Sequence, residues 1–275
     1  MKMPFTLSQL RPIREVMTVS RPAKLGESVP VTWFSLGGGT SITPEYYDCT
    51  TLYLCGEGCG IFLLGGESRT VPLHPGQLLA VPPKTLCGCL TDSGMIYTEI
   101  ILKKENFTMN NILKAGQPTE LKDLISYEDG SIANLDLVHA DNMKFVLMAF
   151  DEGTGLTPHR APGNAILTAL EGKAIIGYEG QDYELNAGES FRLDKNGLHG
   201  AGALQDEPAA GARVKTSAER RRPTAFRDGG RSVFLFKTGK YWNGKGRNIP
   251  YKWRFKSRNL AQRPKLRFGC LTKRR

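Results

Sequence analysis

Short apolar stretches, each closed by Gly, Pro, Asn or Asp, run through the first two hundred residues. Residues 31–36, 50–54, 61–64, 70–73, 78–81 and 95–102 have strand length and composition, with turn signals between them. A second series follows at 145–150, 165–170, 174–178, 182–185 and 190–193. Long helical periodicity is scarce. Residues 1–28 read as a short helical start and an irregular lead-in, and 120–125 as a short helix at most. The pattern predicts an all-β protein of the barrel or sandwich kind.

The two series are copies. Gly39-Thr40-Ser41-Ile42-Thr43-Pro44 returns as Gly153-Thr154-Gly155-Leu156-Thr157-Pro158, a shift of 114 residues. The same shift carries Glu57-Gly58 onto Glu171-Gly172 and Leu7 and Leu10 onto Leu121 and Leu124, while a shift of 112 carries Gly76 onto Gly188. A repeat this long means two copies of one fold rather than a solenoid of small units. We expect a first barrel over residues 1–112, a second over 113–203 and a basic tail over 204–275. Residues 95–102 close the first copy, but 207–214, at the matching place, are not strand-like. The repeat breaks just after His199-Gly200, and the apolar stretch 232–236 is a late candidate for the missing strand.

Charge changes the picture only for the tail. Residues 204–275 carry 21 Lys and Arg against 4 Asp and Glu; residues 1–203 carry 16 against 23. The body is mildly acidic, so partners inferred from basicity concern the tail alone. Three readings of the tail stay open: a disordered basic segment, a reading frame shifted after His199, and nucleic-acid binding through basic runs interleaved with aromatics. No apolar run reaches membrane-spanning length, and the start lacks a secretory pattern. We expect a cytoplasmic protein whose six Cys act as thiols or metal ligands rather than disulfides.

Both copies resemble cupins, double-stranded β-helix (jelly-roll) barrels, over residues 30–102 and 144–200. The family places His, a second His two residues on, and Glu four residues later; a second motif brings another His from a neighbouring strand. In the second copy these positions hold His159, Ala161, Ala165 and His199, with Gly172, Gly188 and Asp194 at the flanking positions. The text from His159 through Ala165 is similar to a subgroup of small bacterial cupins with a His-x-Ala-Pro-x-Asp/Asn-Ala pattern. In the first copy the four positions hold Glu45, Tyr47, Thr51 and Cys87.

The resemblance implies a divalent metal inside the barrel, with Zn, Fe, Mn, Ni and Cu not distinguished. It also implies a small-molecule ligand and a metal-assisted isomerase or oxygenase. Two surviving His give only half of the family's ligand set. His159 and His199 are the candidate catalytic and metal-binding residues, with imidazole suited to proton transfer near neutral pH. Ala161 and Ala165 leave space, and Tyr178 adds a polar group, so these three are candidate ligand contacts. Strand parity places Cys49, Cys55, Cys87 and Cys89 on one inward face of the first copy, a candidate thiol cluster for Zn or Cu(I) beside the reading that they are buried hydrophobes. The rival class is a non-catalytic sensing or storage barrel. Cupins commonly pair through sheets, and two copies in one chain can make that pair internally, with further self-association open.

Overall fold

The structure is a computed structural model that describes residues 3–25, 29–66, 68–102, 107–140, 143–202 and the backbone of 233–238. The readings placed on the remainder of the basic tail lie outside the described residues. After a one-turn helix, Leu7–Leu10, capped by Thr6, the first copy runs through β1 (Thr18–Pro22), β2 (Val31–Leu36), β3 (Thr40–Glu45), β4 (Thr50–Gly58), β5 (Gly60–Leu64), β6 (Arg69–Leu73), β7 (Gln77–Val81), β8 (Cys87–Thr91) and β9 (Met95–Leu102). Between the copies lie β10 (Phe107–Met109), β11 (Pro118–Glu120) and a 3-10 turn at Leu121–Leu124. The second copy runs through β12 (Ile132–Ala140), β13 (Met143–Phe150), β14 (Gly155–Arg160), β15 (Asn164–Ala169), β16 (Lys173–Tyr178), β17 (Gln181–Asn186), β18 (Ser190–Leu193), β19 (Leu198–Gly202) and β20 (Val233–Thr238).

Each copy is a six-stranded sheet facing a four-stranded one. The first has orders β1-β2-β9-β4-β7-β11 and β3-β8-β5-β6; the second has β10-β12-β13-β20-β15-β18 and β14-β19-β16-β17. The four-stranded orders correspond strand by strand, and so do five strands of each six-stranded sheet, with β11 and β10 added at opposite ends, giving two tandem jelly-roll barrels. The late stretch provides the missing element: β20 pairs antiparallel with β13 and β15, as β9 pairs with β2 and β4. Residues 233–238 therefore belong to the sheet of the second barrel, beyond the boundary at residue 203 read from the sequence.

Three hydrophobic cores explain why the central strands are apolar on both faces. Tyr53, Cys55, Phe62, Leu79 and Tyr97 fill the first barrel, while Val146, Met148, Ala165, Ile176 and Phe191 fill the second. Between the six-stranded sheets lies a shared core that includes Trp33, Leu52, Ile100, Phe145, Leu147 and Ile166. Six consecutive residues of β4, Thr50 to Cys55, are buried because odd and even positions enter different cores. The lead-in strengthens the junction. Phe5 exchanges backbone hydrogen bonds with Ser190 at 2.9 and 2.7 Å, and Asn164 Nδ2 donates to the Leu25 carbonyl at 2.9 Å.

Candidate functional site

Both copies bend at the same place. The β3–β8 register shifts between Ile42 and Glu45, and the β14–β19 register between Leu156 and His159. The Thr43-Pro44 and Thr157-Pro158 dipeptides fall inside these shifts. Proline cannot donate to the ladder, so the strand bulges and re-aims the residue that follows. In the first copy that residue, Glu45, comes opposite Cys87; in the second, His159 comes opposite His199. The close approach of the bulge also explains a glycine. A Cβ on Gly200, next to His199, would lie 2.9 Å from the Leu156 carbonyl oxygen.

His159 and His199 meet with ring centroids 4.5 Å apart and planes tilted by 55°. His199 is 6% exposed and His159 is half-buried. His159 Nδ1 faces the Thr157 carbonyl at 3.1 Å, and His199 Nδ1 faces the Gly197 carbonyl at 2.8 Å. A carbonyl only accepts, so in a neutral ring the proton sits on Nδ1 and Nε2 carries the lone pair. Tyr178 on β16 sits opposite His199, buried, with its hydroxyl 3.4 Å from Asp194 Oδ2. Burial, followed by the Asp194 charge, raises its pKa, although a backbone hydrogen bond there acts the other way. A Cβ on Gly197 would lie 2.6 Å from the Tyr178 ring, so the glycine makes room for it. Ala161 and Ala165 are buried, Ala165 within the core of the second barrel. Arg160 and Asn164 face outward, Arg160 toward Glu179 at 3.4 Å and Asn164 toward the lead-in.

The donor set does not fit a metal held by the protein alone. No group of three or more His, Cys, Asp or Glu suited to a metal ion occurs among the described residues. Two imidazoles remain where the cupin motif has three His and a Glu, because Ala161 and Ala165 carry no donor atoms.

The four candidate thiols differ in burial and in the contacts they make. Cys55, Cys87 and Cys89 are buried in the first-barrel core, while Cys49 is only half-buried. They serve separate local contacts. Cys55 Sγ donates to the Gly58 carbonyl at 3.5 Å, and Cys89 Sγ lies 4.0 Å from the Tyr97 hydroxyl. Burial pushes Cys87 up to about 11 and Cys55 and Cys89 up to about 12, so at neutral pH they are neutral thiols.

Sequence reasoning missed Glu99. It stands on β9, 7% exposed, and Tyr47 Oη donates to its carboxylate at 3.5 Å. Burial, reinforced by the Glu45 charge and opposed by the Tyr47 hydrogen bond, pushes it up to about 7. The signal was available as a lone acid in the apolar text of residues 95–102.

A cavity of about 320 Å³ lies elsewhere, between the barrels, against Trp33, Ile100, Ile166, Lys122 and Ser190. Several of its polar groups are matched locally, with Thr168 to Ser190 at 2.8 Å and Lys122 to Glu120 at 3.7 Å.

A cupin-domain family model matches residues 146–211 of the chain. Among solved structures, a cupin 2 conserved barrel domain protein from Leptotrichia buccalis is similar over 86% of this chain and 95% of its own, with a TM-score of 0.68 and 21% identity. A salicylate 1,2-dioxygenase from Pseudaminobacter salicylatoxidans is similar over 86% of this chain and 84% of its own, with a TM-score of 0.55 and 12% identity. A search of curated proteins finds no match. At these identities the likenesses concern the fold, a cupin-type jelly roll. No helix among the described residues is long and apolar enough to cross a membrane.

Proposed function

We propose that the protein binds a small molecule in its second barrel, with His159 and His199 as the working pair. The carrying observation is the approach of the two imidazoles to 4.5 Å, each ring oriented by a backbone carbonyl on Nδ1. Ring orientation of this kind presents Nε2 as the atom that meets a ligand. Each imidazole Nε2 accepts when bare and donates when it carries a proton. One ring then serves as donor and the other as acceptor toward a ligand hydroxyl or carbonyl. Proton transfer at such a group is the chemistry the pair supports. Ala161 and Ala165, both buried, are small side chains that add no bulk of their own near the pair. Tyr178, held by Asp194, contributes a hydroxyl beside His199.

A fragment screen read on the imidazole Cε1–H proton signals tests the proposal. His74 and His139 are exposed and serve as internal controls. Bound fragments are expected to move the His159 and His199 signals, leave the controls in place, and lose binding in His199→Ala. Fragments that leave both signals unmoved, or that bind a His159→Ala/His199→Ala double variant equally well, overturn it.

A further inference from the structure

Glu99 lies mid-way along an otherwise apolar strand, on the inward face of the first barrel and opposite Tyr53 of β4. Its carboxylate accepts a long hydrogen bond from Tyr47, and no ion pair among the described residues includes it. Burying a carboxylate without a positive partner is unfavourable, so the fold alone gives no reason for it. The groups around it add no positive charge. From β3 and the loop after it come Glu45 and Tyr47, from β4 Tyr53, from β8 Cys87 and Cys89, and from its own strand Tyr97. Glu45, exposed at the rim, adds a second negative charge.

Two further observations point to an occupant. Thr51, on the same inward face as Tyr53, is 2% exposed, and its Oγ1 has no hydrogen-bond partner. Beneath lies an aromatic wall, with centroid separations of 4.8 Å for Tyr53–Phe62, 5.6 Å for Phe62–Tyr97 and 5.8 Å for Tyr53–Tyr97. A buried anion, an idle hydroxyl acceptor and aromatic faces are together complementary to a cation carrying N–H donors.

We propose that the interior of the first barrel, around Glu99, Tyr47 and Thr51, is a binding site for a small organic cation, an ammonium or amidinium. Access is from the rim at Glu45 and Tyr47, since Tyr47 is only partly buried. The cation sits against the Glu99 carboxylate and donates to Thr51 Oγ1. Glu45, Tyr47, Thr51 and Cys87 correspond by the repeat to His159, Ala161, Ala165 and His199, so the two barrels select different ligands.

Calorimetric titration of the full chain with acetamidinium, and with its neutral isostere acetamide, tests this at pH 8. Acetamidinium is expected to bind saturably and about tenfold or more tighter than acetamide. Glu99→Gln should weaken acetamidinium by about tenfold, while His199→Ala leaves it unchanged and so separates this site from the second barrel. Affinity should also fall as Glu99 takes up a proton below pH about 7. Thr51→Val provides a second variant, expected to weaken binding about threefold or more. Equal affinity for the amide and the amidinium, or undiminished binding in Glu99→Gln or Thr51→Val, overturns the proposal.

Discussion

Glu99 couples the stability of the protein to pH. Its carboxyl in the folded chain stands at about 7, above the ordinary carboxylate value, chiefly through burial. The folded state therefore holds this proton more tightly than the unfolded state. Its contribution is fully present below the ordinary carboxylate value and is lost as pH rises through about 7. Between pH 5 and 8 the wild type should lose about 2–3 kcal/mol relative to Glu99→Gln. Denaturant midpoints of both proteins at the two pH values check this; parallel pH profiles would count against it. Gly200 governs the second barrel in another way. A Cβ there meets the Leu156 carbonyl oxygen at 2.9 Å, and its counterpart Gly88 would meet the Ile42 carbonyl oxygen at 2.6 Å. Gly200→Ala must push the bulge away or move His199. It is expected to destabilise by about 1–3 kcal/mol and to shift the His199 imidazole signal, both read from one set of melting and NMR experiments.

At the scale of elements, the late strand is the test of the second sheet. β20 supplies backbone partners to β13 on one side and β15 on the other. Ending the chain at residue 202 leaves two facing ladders unpaired in the middle of a six-stranded sheet. Such a protein is expected to lose amide protection along both strands and to aggregate, whereas a chain ending at residue 238 keeps them; hydrogen exchange distinguishes the two. How legible each element was follows from what covers it. The apolar runs of β4, β13 and β15 were readable because two cores bury both faces. β1 escaped notice because it is exposed along most of its length, with a composition, Thr-Val-Ser-Arg-Pro, that reads as irregular. β12 escaped because a register shift between Asp136 and Val138 breaks its alternation. His159 and His199 could be paired from the sequence only through the resemblance to the cupin motif, since their repeat counterparts are Glu45 and Cys87. Glu99 was not read as a site residue, since a single acid in a strand is ordinarily a solvated position and its facing depends on the second sheet.

The whole molecule is organised around the face between the barrels, where side chains of both copies share one core. Phe145 belongs by sequence to the second copy, yet its side chain is fully buried in this shared core with Trp33 and Ile100 of the first. The lead-in adds Phe5 against Ser190, and Arg192 donates to the Ala23 and Lys24 carbonyls at 3.0 Å each. A barrel cut free at residue 112 would expose Trp33, Leu52 and Ile100 to water together, a patch large enough to drive self-association. The two barrels should therefore unfold as one cooperative unit despite their separate interiors. Phe145→Ala removes the largest fully buried side chain at the junction and is expected to cost about 3–5 kcal/mol. The decisive readout is where the loss appears. Exchange protection in β4 of the first barrel and β15 of the second should fall by the same free energy, because each sends residues into the shared core. A loss confined to β15, with β4 unaltered, would show two independently stable barrels and remove the shared core as the element that unites the fold.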